Sequence, residues 1–101
     1  MPKHFRIFWG SHVGRTRLNL YWPPTDFYPV VTVSATEGDA NTAPATLFVG
    51  NANFTVSNIA PRFDGVSFVV NIDWFEPLYL WTDVTMFDEN DPLEFLRAIG
   101  V

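Results

Sequence analysis

Cysteine is absent from this 101-residue chain. That absence excludes disulfides, thiolate zinc sites, iron–sulfur ligation and a cysteine nucleophile, so the fold must hold together through packing alone. Long apolar runs are absent too. The opening Met1-Pro2-Lys3-His4-Phe5-Arg6 leads into no apolar stretch of leader length, and nothing approaches the roughly 20 consecutive apolar residues of a membrane span. The expectation is a soluble protein with no membrane partner, with the cytoplasm favoured and a secreted chain whose leader has been removed as the alternative. Cations are scarce, since 6 Lys and Arg face 11 Asp and Glu for a formal net charge of -5. That balance argues against a nucleic-acid partner or an anionic bilayer, both of which need a cationic surface.

Helical periodicity is nearly missing as well, and what replaces it is alternation. Apolar residues make up 48% of the chain and aromatics 17%, ample material for a core, and the length suits one domain. Residues 1–101 therefore read as a single domain with a short tail over 92–101. Phe5, Ile7 and Trp9 alternate with His4, Arg6 and Phe8, which predicts a strand over 4–9. Gly10 to Gly14 reads as a loop, with glycines at both ends to accept positive φ. Thr16, Leu18, Leu20 and Trp22 then face away from Arg15, Arg17, Asn19 and Tyr21, until Pro23-Pro24 stops the strand.

A third strand is expected over about 28–35 and a loop over 36–44. Strands near 45–50 and 53–59 should meet in a hairpin at Gly50-Asn51. After a turn tipped by Asp64-Gly65, Val66, Phe68, Val70, Ile72 and Trp74 alternate through the longest strand, expected to be central in its sheet. Glu76-Pro77 ends it. In the seventh strand, Leu78 to Phe87, both faces are partly apolar, as in a strand covered on both sides. Seven short strands predict an all-β, antiparallel β-sandwich, compatible with immunoglobulin-like architecture, with a small closed β-barrel as the alternative. The tail permits one or two helical turns from Asp91.

Charge is segregated along the chain. Residues 1–17 carry Lys3, Arg6, Arg15 and Arg17 and no acid, whereas residues 64–94 carry eight acids and no base. The expectation is that the two segments pair across strands.

Patterns that carry chemistry are thin. Asp88, Asn90 and Asp91 form the one weak calcium candidate, but the loop lacks the Gly and terminal Glu of an EF-hand, so no metal site is assigned. The spacing of His4 and His12 fits no zinc motif. Ser11 beside His12 would point the two side chains apart on a strand, and no nucleophile elbow surrounds them. Asp73, Glu76 and Asp83 could supply carboxylate pairs, as any acidic sandwich can. Gly10 to Gly14 has neither the length nor the lysine of a phosphate loop, so no cofactor is expected. The reading is non-enzymatic.

The remaining signal is an aromatic surplus: 10 Phe, 4 Trp and 3 Tyr. Trp9, Tyr21, Trp22, Phe27, Tyr28, Phe63, Trp74, Phe75, Tyr79 and Trp81 fall on both faces of their strands or beside turns. Rings beyond what a core needs mark an interaction surface. The function expected is a binding or assembly module, acting as a homo-oligomer or on a protein partner through Trp74, Phe75, Tyr79, Trp81 and Phe87. The alternative is a small lectin-like domain that stacks Trp81 or Trp74 on carbohydrate, with Asn71, Asp73 and Asp83 bonding the sugar hydroxyls and calcium near Asp88 as an optional aid.

Overall fold

The computed structural model describes residues 2–26, 28–40 and 47–87. It is all-β, built from β1 (Lys3–His12), β2 (Gly14–Tyr21), β3 (Val30–Gly38), β4 (Leu47–Phe48), β5 (Asn53–Arg62), β6 (Gly65–Asp73) and β7 (Leu78–Phe87). Two antiparallel sheets result, in the orders β1-β7-β3-β4 and β2-β6-β5. Neither closes into a barrel. Each has three full-length strands, and β4 adds only two residues at the edge of the first sheet.

The binary pattern sets which face of each strand is buried. Leu18 from β2 and Val66, Phe68, Val70 and Ile72 from β6 meet Leu80, Val84 and Met86 from β7 in one buried cluster. Phe5, Ile7 and Trp9 of β1 pack against the same cluster, with the Trp9 ring edge-on to Phe68 at 6.1 Å. Because one cluster draws on both sheets, the layers pack face to face in a sandwich-like arrangement. As the alternation predicts, β6 is central, with β2 on one side and β5 on the other.

Several expectations need correction. The segment Gly10 to Gly14 is not a loop: β1 runs on through Ser11 and His12, which pair with Tyr79 and Leu78. Gly10 (φ 83) forms a bulge, Gly14 (φ 72) opens β2, and Val13 alone joins the two strands. Thr36 to Gly38 continue β3. The expected hairpin at Gly50-Asn51 does not form, because β4 pairs with β3 in one sheet and β5 with β6 in the other. The alternation from 45 to 50 is too short to choose a partner, and position in the fold chooses it. Immunoglobulin connectivity would place the first two strands in the same sheet, whereas here β1 and β2 lie in different ones.

The winding has a simple form. β1 and β2 together pair antiparallel with β7 and β6, β1 along β7 and β2 along β6. One long ribbon thus folds from sheet to sheet at Val13 and again at Trp74 to Pro77. The second crossing leaves Trp74 and Phe75 outside both ladders.

Candidate functional site

Each sheet's outer face is built by the residues left over from the core. On the first sheet these are His4, Arg6 and Phe8 of β1 beside Thr85, Asp83 and Trp81 of β7, which they face directly in register. Arg6 donates from Nε and Nη2 to the two carboxylate oxygens of Asp83, at 2.7 and 2.9 Å. These hydrogen bonds, and then the charge of Asp83, raise the Arg6 guanidinium further above its usual pKa. His4 Nδ1 and Thr85 Oγ1 are hydrogen-bonded at 3.0 Å. Part of the expected pairing between the basic and acidic segments is therefore present at Arg6–Asp83. Arg15 and Arg17 instead stand opposite Asn71 and Val69.

Burial sorts the aromatics sharply. Trp9, Trp22 and Trp81 all have their indole N–H groups satisfied: Trp9 Nε1 donates to Thr82 Oγ1 at 2.7 Å, Trp22 Nε1 to the Phe63 carbonyl at 3.2 Å, and Trp81 Nε1 to the Asp39 carbonyl at 2.8 Å. Trp81 is on the outward side of β7, as the alternation implies, yet only 4% of it is exposed. Phe8 packs on it at 5.0 Å, so Trp81 serves as a platform under other rings and is not itself a contact surface.

Tyr79 leans on Phe8 at 5.8 Å and stays exposed. Phe75 is 80% exposed, held against Trp74 with ring centroids 4.9 Å apart. Phe87, at the far end of β7, is half-buried and opposite Val30. Of the five aromatics singled out by sequence, Trp74, Phe75 and Tyr79 thus belong to the end of the molecule where β6 crosses to β7. Phe87 lies away from it, and Trp81 lies beneath the surface. Beside Tyr79 opens a hollow of about 300 Å³ lined by Ser11, Glu37, Asp39 and Pro77, among others. Its acidic rim was not legible in the sequence, because β3 and the β6–β7 turn are neighbours only in the folded chain.

The opposite end carries a second aromatic group. Tyr28 stacks on Phe63 at 3.9 Å with an interplanar angle of 27°, and both remain exposed, as does Tyr21. The Arg62 guanidinium lies over the Tyr21 ring at 5.2 Å, a cation–π contact. Thr25 N–H, donating to the Phe63 carbonyl at 2.9 Å, ties the loop after β2 to the β5–β6 turn.

The polar residues expected to bond a sugar do not converge. Asn71 and Asp73 project from the outer face of the β6 sheet, while Asp83 is on the outer face of the other sheet and engaged by Arg6. Asp88, Asn90, Asp91 and the tail over 92–101 lie outside the described residues, as does Phe27. His4 and His12 stand at opposite ends of β1, and His12 Nε2 is hydrogen-bonded to the Trp9 carbonyl at 2.7 Å. Among the described residues no three His, Asp or Glu side chains group as metal ligands. No helix among them is long and apolar enough to cross a membrane.

Compared with models of known protein families, with curated proteins and with solved structures, the chain shows no match.

Proposed function

We propose that this chain is a non-enzymatic β-sandwich module that associates through the aromatic end formed by Trp74, Phe75 and Tyr79, with a second copy of itself or with another protein. The observation that carries the reading is the position of Phe75, which is 80% exposed while its ring is held by Trp74. Leaving a phenyl ring of this kind in water gives up roughly 1.5–3 kcal/mol of burial that a partner could recover. The ring contact also restricts Phe75 before any partner arrives, which lowers the ordering cost of association. The adjoining acid-rimmed hollow beside Tyr79 suits a basic side chain flanking the partner's apolar contact.

Sedimentation velocity on the full chain over a wide concentration range tests the self-associating form. Concentration-dependent association is expected, weakened by about tenfold or more in a Phe75→Ser/Tyr79→Ser variant, as for a truncated anchor at the centre of an interface. A chain that stays monomeric at every concentration, or a variant that associates as the parent does, rejects it.

A further inference from the structure

We infer that the outer face of the β2-β6-β5 sheet holds an oxyanion site for a tetrahedral phosphate or sulfate group, formed by Arg15, Arg17 and Asn58 over Val69. These four residues line one hollow of about 230 Å³. Arg15 and Arg17 alternate onto the same face of β2, about 7 Å apart along the strand. Both are exposed, and neither forms an ion pair among the described residues. Their cross-strand neighbours on β6 are Asn71 and Val69, so no carboxylate stands opposite either guanidinium.

The third donor arrives from the other side of β6. At Ser57 to Ala60 the register of β5 slips against β6, and Asn58 takes φ 55, the one non-glycine residue with positive φ among those described. A bulge re-aims a side chain that regular pleating would direct elsewhere, and Asn tolerates this backbone at a modest cost. The bulge brings Asn58 to the same hollow as the two arginines. Val69 also lines the hollow and is only 5% exposed.

The donor set favours one ligand shape. A planar carboxylate is satisfied by a single guanidinium fork, whereas a tetrahedral oxyanion has enough oxygens to accept from two forks and an amide together. The site shares the outer face of its sheet with one β6 acid, Asp73, which lies beyond Asn71. It lies on the opposite sheet from Tyr79 and is independent of the aromatic end.

The test is a set of two-dimensional amide NMR titrations of the full chain at constant ionic strength, with inorganic phosphate, sulfate, acetate and a phosphoserine peptide. Phosphate and sulfate are expected to shift the amides of Arg15, Arg17, Asn58 and Val69 saturably, and acetate to do so at least tenfold more weakly. In Arg15→Gln/Arg17→Gln, whose circular dichroism should match the parent because both side chains are exposed, saturation should be lost. Tighter binding of the phosphoserine peptide than of inorganic phosphate identifies a phosphorylated partner as the source. Equal affinity identifies the free anion. Non-saturating shifts, equal response to acetate, or saturation that survives the double substitution would overturn the inference.

Discussion

At the scale of single residues, the hydrogen bond from Trp9 Nε1 to Thr82 Oγ1 couples the two central requirements of this core, apolar volume and polar satisfaction. Thr82 is fully buried on the inward side of β7, where an unpaired hydroxyl would be costly, and the indole N–H supplies its partner. Thr82→Val keeps the shape but leaves the indole donor without an acceptor, so a loss of about 1–3 kcal/mol is expected by urea denaturation. Adding Trp9→Phe should cost less in the Thr82→Val background than in the parent, because the stranded donor then disappears. A strictly additive pair would show that the bond contributes nothing. The Arg6–Asp83 pair is close at 2.7 Å, but both side chains are solvated, and exposed pairs of this kind contribute little to stability.

At the scale of elements, two glycines separate backbone strain from steric exclusion. A Cβ on Gly10 would meet nothing nearby, so Gly10→Ala faces only the left-handed backbone of the β1 bulge, an expected cost of about 1 kcal/mol. A Cβ on Gly65 would overlap the backbone carbonyl oxygen of Leu20. That oxygen cannot retreat without disturbing the ladder in which Leu20 pairs with Val66 and Tyr21 with Gly65. Gly65→Ala is therefore expected to cost about 3 kcal/mol, at the upper end of overpacking effects. Thermal or chemical denaturation that ranked the two substitutions in the opposite order would mean that the β2–β6 register has more slack than the structure shows.

At the scale of the whole molecule, the aromatics divide into those that stabilise the core between the two sheets and those that decorate its ends. Phe68 is fully buried at the centre of β6, and Phe68→Ala is expected to cost about 3–5 kcal/mol. In a domain whose total stability falls in the usual range of about 5–15 kcal/mol, that is a large share. Phe75→Ser, by contrast, should leave the denaturation midpoint within about 0.5 kcal/mol of the parent, because that ring packs at the rim. If Phe75→Ser destabilised the monomer as Phe68→Ala does, Phe75 would be a structural residue and the proposed association surface would lose its anchor.

The sequence by itself determined the β class, the position and central role of β6, and the inward sets of β1, β2, β6 and β7. These follow from period-two alternation, which is local and long enough in those segments to be unambiguous. It also determined that aromatic groups exceed a single face, and it marked Phe75 and Tyr79, which remain exposed. Only the tertiary structure decided which sheet each strand joins. Strand partners are chosen by packing across the whole chain: this is why β4 pairs with β3 and not β5, and why Ser11 and His12 extend β1 past Gly10. It also decided the fate of individual rings. Trp81 has the same alternation phase as Tyr79 and both rings touch Phe8, yet Trp81, directly cross-strand from Phe8 and hydrogen-bonded to the Asp39 carbonyl, is buried while Tyr79 stays exposed. The grouping of Arg15, Arg17 and Asn58 was likewise illegible beforehand, because it depends on β6 lying between two strands remote in sequence and on a bulge that no residue spacing announces.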